Sequence, residues 1–286
     1  MIFALVSAAL FGTGTAAQHR VSATLQRDEV LRLGLFARLT RNPLWMLGIT
    51  LEIGAFACQL VALHRGRLVT VQPILSLSLV IALVITAVAV KARLPIRVLV
   101  ALVAVTAGLA LFLTLAVPAA EGASRVTTAR WVPASVLVVG AIVFAVLRGH
   151  RSEGRARAQW LAAAAGFADA MMAALAKELS EQFDRGFHAV VSSWALYSVA
   201  AMGIIALLLQ QAAYQTARPA ITLPIIAVTE PLLSVVLGVA VFGEHISRGA
   251  LRDLFAVMAL GVLVVGLAVL ARSPLADDTT ALEVQV

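Results

Sequence analysis

The sequence predicts an all-α integral membrane protein of about nine transmembrane helices, built as an inverted repeat of four plus five helices. Three observations lead there. Of 286 residues, 61% are hydrophobic and only 13% are charged, where soluble domains sit nearer half apolar and a quarter charged. Long apolar runs, separated by short polar spacers, recur along the whole chain. And the two halves align when the sequence is shifted by 151 residues.

A spanning helix needs about 20 mostly apolar residues. Nine runs qualify: 1–18, 44–62, 68–90, 96–117, 131–147, 158–176, 189–211, 219–242 and 250–271. They are too long and too continuous for barrel strands, and open sheet edges are not tolerated in hydrocarbon. Run 1 lacks a basic n-region and ends in Gln18-His19-Arg20, so it reads as a mature helix and not as a signal peptide. Residues 19–43 carry five arginines, and within them 24–40 place Leu25, Val30, Leu31, Leu33, Phe36 and Leu39 at helical spacing. That pattern predicts a short helix lying on the membrane surface. The polar tail 273–286 predicts a disordered cytoplasmic segment.

Charge placement sets the orientation. The net charge is +7, yet the arginines lie in short loops between apolar runs, which argues for topology over nucleic-acid binding. Loops after helices 1, 3, 5 and 7, with the tail, hold 14 Lys and Arg; the remaining loops hold 8. The positive-inside rule then places the N-terminus outside and the C-terminus in the cytoplasm of a multi-pass plasma-membrane protein. The lone Cys58 excludes an internal disulfide and offers no metal spacing.

In the shifted alignment Gln59 meets Gln210, Gly66 meets Ala217 and Pro73 meets Pro224. Ala8-Ala-Leu-Phe-Gly12 also echoes Ala164-Ala-Gly-Phe-Ala168 at a slightly different offset. The first repeat thus covers 1–117 and the second 131–272. Corresponding helices lie five apart, an odd number, so the copies run in opposite directions through the membrane. Inverted repeats of that kind give secondary transporters one scaffold with two alternating openings. Pro73 and Pro224 each remove a backbone donor early in a helix. This serves helix initiation, or a kink that frees a carbonyl toward a central cavity.

Ionisable groups inside spans are costly unless they face partners or water. Glu52, Asp169 and Glu230 are such groups, and they are the candidates for binding cargo or coupling transport to protons. Glu230 maps to Leu79 and Glu52 to Gly203, so neither is a scaffold feature shared by the halves. Gln59, Gln72, Gln210 and Gln211 are amides in or near spans that could bind cargo or join helices. Trp45, Trp131, Trp160 and Trp194 lie near helix ends and read as interfacial anchors. Lys177, Glu178, Glu181, Asp184 and Arg185 read as a solvated loop; His64, His188 and His245 read as loop-edge residues.

The stretch Ala217-Arg-Pro-Ala-Ile-Thr-Leu-Pro224, then Glu230-Pro-Leu-Leu-Ser234 and Phe242-Gly243-Glu244, resembles the end of an EamA-like domain of the drug/metabolite transporter superfamily. In the first half Arg93 or Leu94 stands near the place of that last glutamate. Pro43-Leu-Trp-Met-Leu-Gly48 with Gly66-Arg-Leu-Val-Thr-Val-Gln-Pro73 resembles the nine-helix NIPA-like branch, where Phe56 aligns with a family glutamate and Glu52 lies one turn earlier. The resemblance implies a secondary-active transporter of small solutes, or a magnesium transporter. A non-transporting membrane scaffold is the third alternative. No nucleotide-binding or hydrolase motif occurs in a suitable setting, so neither an enzyme nor a cofactor is expected. Membrane lipid, a small-molecule or ion cargo and a second copy of the chain are the candidate partners.

Overall fold

The computed structural model describes residues 1–22, 42–89, 95–115, 128–216, 219–244 and 249–270. The predicted surface helix and the C-terminal tail lie outside these residues. Among the described residues the regular structure is entirely helical: α1 (Ile2–Ser22), α2 (Pro43–Arg65), α3 (Leu68–Leu75), α4 (Leu77–Ala89), α5 (Ile96–Leu115), α6 (Thr128–His150), α7 (Gly154–Ser180), α8 (Phe187–Ser192), α9 (Trp194–Thr216), α10 (Pro219–Ala240) and α11 (Ala250–Leu270), with a 3₁₀ turn at Phe183–Arg185. Each apolar run of the sequence falls on a helix, and the third and seventh runs fall on two. Six helices of the described residues are long and apolar enough to cross a membrane, and three shorter apolar helices accompany them.

Local sequence explains the boundaries. Asn42 caps α2, its Oδ1 accepting from Leu44 N at 3.0 Å and Trp45 N at 3.3 Å, and Pro43 fills the first position, where no N–H is required. Gly66 ends the helix in extended backbone; a Cβ there would stand 2.8 Å from Ala62 O. The third run divides at Ser76, three residues after Pro73, whose missing N–H weakens the hydrogen-bond ladder. Gly243 ends the turn after α10 at φ +64°, a conformation only glycine adopts readily.

Helix α7 is the hub, packing against α6, α9, α10 and α2. Its alanine-rich sequence makes this possible, because small side chains let four neighbours approach the backbone. Ala164, Ala165, Ala168, Ala174 and Ala176 are fully buried. Helix α1 plays a similar part in the other half, packing against α2 and α4. The halves meet along α5 and α11. There a Cβ on Gly108 would stand 2.8 Å from Leu263 N, and one on Gly266 would stand 2.7 Å from Val105 Cγ2. Outward faces stay apolar, as at Val103, Val136, Leu137 and Val265. That surface suits hydrocarbon rather than water.

Two readings of the sequence change here. Trp131 is not an interfacial anchor but is 7% exposed, edge-on to both Trp194 and Phe242, with its indole N–H donating to Glu178. The segment around Lys177 is not a solvated loop: α7 continues to Ser180 and Lys177 is 6% exposed. The second follows from α7 running about a turn past its apolar run, which carries Lys177 into the packed end of the bundle.

Candidate functional site

A cavity of about 440 Å³ lies between the two halves. That volume is in the range of small-molecule sites. Glu52, Gln59, Asp169, Gln210 and Glu230, which the sequence singled out, all line it, together with Gln72. The side chains of Gln211 and Pro224 lie outside those described. Pro73 is buried in α3, next to the cavity-lining Gln72.

Five helices deliver the acidic and amide side chains. Asp169 projects from α7 and accepts a 2.8 Å hydrogen bond from Gln210 Nε2 of α9. Glu230, near the middle of α10, lies close enough to Asp169 for their charges to oppose one another. Glu52 of α2 accepts from Thr15 Oγ1 at a long 3.5 Å. Gln72, on the short α3, is 1% exposed, and its Nε2 has no hydrogen-bond partner among the described residues. Apolar walls come from Phe11, Leu75, Leu79, Met172, Ile226 and Leu267. Among the described residues no Lys, Arg or His lines the cavity. No group of three or more His, Cys, Asp or Glu side chains is arranged to hold a metal ion among the described residues.

The lining repeats. Gln59 and Gln210, Leu75 and Ile226, Ser76 and Ala227, Leu79 and Glu230 all face the cavity, and each pair is separated by 151 residues.

Beyond one end of the cavity lies a polar latch that sequence reasoning did not find. Glu244 is 7% exposed and caps α3 from the far half of the chain: Oε1 accepts from Leu68 N and Oε2 from Val69 N, each at 2.8 Å. A carboxylate at a helix N-terminus satisfies orphan donors and meets the positive end of the helix dipole. Burial pushes the Glu244 carboxyl above its usual range, against the opposing pull of these two N–H groups and of the nearby Lys177 and Arg67. Gly238 makes the approach possible, since a Cβ there would stand 2.7 Å from both Glu244 Oε2 and Val69 Cγ2. On the adjoining helix end, Lys177 Nζ donates to Leu63 O at 2.6 Å and pairs with Glu181 at 3.6 Å. His64 reaches Ser180 O through Nδ1 at 2.8 Å and Asp184 through Nε2 at 3.4 Å. The only sequence signal for Glu244 was its place in the Phe-Gly-Glu motif.

The latch gathers the ends of α2, α7 and α10 and the starts of α3, α6 and α9 at one end of the bundle. At the opposite end Arg148 and Phe144 of α6 contact Trp160 of α7.

Comparison with known proteins adds little. The chain matches no protein-family model and no solved structure. It is similar to a protein of Corynebacterium glutamicum described as uncharacterized, 26% identical over 276 residues that cover 96% of this chain and 94% of that protein.

Proposed function

We propose that the protein is a secondary-active membrane transporter of small solutes, working by alternating access between two inverted halves. The observation that carries this reading is the duplicated lining: four residue pairs related by the sequence shift face one central cavity. The packing agrees with it. Helix α1 packs on α2 and α4 as α7 packs on α9 and α10, while α6 is the additional helix of the second half. The ends that meet at the latch also agree with a chain crossing the membrane nine times in alternation, once α3–α4 and α8–α9 are each counted as one crossing. By the positive-inside rule the latch end faces outward. The conformation described is then the one closed to the outside, with the lining running from Gln72 beside the latch to Thr15 and Glu52 in the opposite halves of α1 and α2.

Magnesium as cargo fits less well, because a hard cation needs convergent oxygen ligands, and such a group is absent among the described residues. Uptake into proteoliposomes tests the proposal, with amino acids, drugs, nucleosides and Mg²⁺ each supplied with and without a proton gradient. Uptake of at least one solute that Glu230→Gln abolishes is the expected result. Failure of the wild-type protein to move any of them under either condition would overturn transport in favour of a scaffold role.

A further inference from the structure

Resting on the transport reading, we infer that the cavity takes a small primary ammonium compound that carries a hydrogen-bond acceptor at some distance from its amine. The charge inventory points to the amine. Asp169 and Glu230 line the space, and among the described residues no basic side chain lines it with them. Both lie near enough for their charges to repel, and a cation between them relieves that repulsion. Gln210 fixes the orientation of Asp169 by holding Oδ2. Among the described residues no hydrogen bond holds the Glu230 carboxylate, which leaves it as an acceptor for ammonium N–H groups.

A second observation points to a ligand independently. Gln72 is almost wholly buried, lines the same cavity and leaves its Nε2 without an acceptor among the described residues. An unsatisfied buried donor is costly, and native interiors hold few of them. An acceptor atom on the ligand completes it. Apolar side chains, Met172 and Leu79 among them, line the same cavity and suit an alkyl body. The volume is far larger than a bare metal ion requires. Carboxylates reward N–H donors with charge-assisted hydrogen bonds, which favours a primary over a quaternary ammonium.

Calorimetric titration of the detergent-solubilised full chain tests this by binding alone. The ligands are ω-amino alcohols of increasing chain length, the matching alkylamines, the matching alcohols and Mg²⁺. The best amino alcohol is expected to bind about fivefold or more tightly than its alkylamine, the worth of one neutral hydrogen bond. Gln72→Leu, which removes an unsatisfied donor and so spares the fold, is expected to erase that difference while leaving alkylamine binding in place. Glu230→Gln is expected to weaken both amines about tenfold or more through loss of a charge-assisted contact. Binding of Mg²⁺ alone, equal binding of the uncharged alcohols, no binding of any amine, or discrimination that survives Gln72→Leu would each overturn the assignment. Vesicle uptake of uncharged solutes alongside failure here would sink the ligand class and leave transport standing. Amine binding with no uptake of anything would do the reverse.

Discussion

Glu230 and Glu244 belong to one stretch of chain, α10 and the turn that follows it, yet their surroundings are opposite. Glu244 is saturated, each carboxylate oxygen taking a backbone N–H from α3. Glu230 faces a cavity, has another carboxylate for a neighbour and is held by no hydrogen bond among the described residues. Burial alone therefore does not mark a functional acid. A buried acid with its partners supplied by the fold is a structural joint. One whose partners are withheld has capacity left for something that arrives.

The largest effect on stability is expected at the joint. Glu244→Leu strands two buried N–H donors, at about 1–3 kcal/mol each. The thermal unfolding midpoint in detergent should fall sharply, and Glu244→Gln, which keeps one acceptor, should fall less. If Glu244→Leu leaves the midpoint unchanged, the latch is not a structural element. Gly238→Ala comes next, at about 1–3 kcal/mol for overpacking, because the added methyl meets both Val69 and the Glu244 carboxylate. Adding Glu244→Gln to Gly238→Ala should then cost less than the two separate losses combined, since both act on one contact. Lys177→Met should cost about 1–2 kcal/mol by leaving Leu63 O without its donor; an unaltered midpoint would remove Lys177 from the latch. Glu230→Gln should sit within about 1 kcal/mol of the wild type in stability, since no fold contact depends on its charge, while it abolishes uptake.

The smallest effect is a pH dependence. The folded Glu244 carboxyl titrates above its usual value of 4.5 because burial outweighs the donors that stabilise its charge. Between 4.5 and the raised value the folded chain holds a proton that the unfolded chain has lost. Stability should therefore fall as pH rises through that interval. Glu244→Gln should flatten this slope in unfolding midpoints measured from pH 4.5 upward.

The contrast between the two glutamates also explains what could be read in the sequence. Glu230, Asp169 and Glu52 announced themselves because a charge within an apolar run is conspicuous against its background. Gln59 and Gln210 became visible as a pair through the repeat. The helices were legible because long apolar runs stand out, and six of the described helices are long and apolar enough to cross a membrane. Lys177 and Glu244 had no such background. They sit where apolar runs give way to polar sequence, and there a charged residue is the ordinary expectation. Their partners are backbone atoms of Leu63, Leu68 and Val69, which carry no side-chain signature at all. Trp131 was misread for the same reason: a tryptophan near a helix end looks alike whether it meets headgroups or Phe242. The break at Ser76 was half legible, through Pro73, but nothing local told whether that proline would start a helix or divide one.

The Glu244 contact also puts a schedule on biogenesis. The first turn of α3 is made of residues 68 and onward, and its cap is supplied by residue 244, which follows 176 positions later. At synthesis rates of about 5–20 residues per second, the start of α3 waits roughly ten to thirty-five seconds for its acceptor. During that interval the first half of the chain carries two uncapped amide donors at one helix end. The nascent protein must keep that end wet, or shielded by the insertion machinery, until almost the whole chain has been made. A chain that stops short of residue 244 has every described helix of the first half but lacks the carboxylate that caps α3.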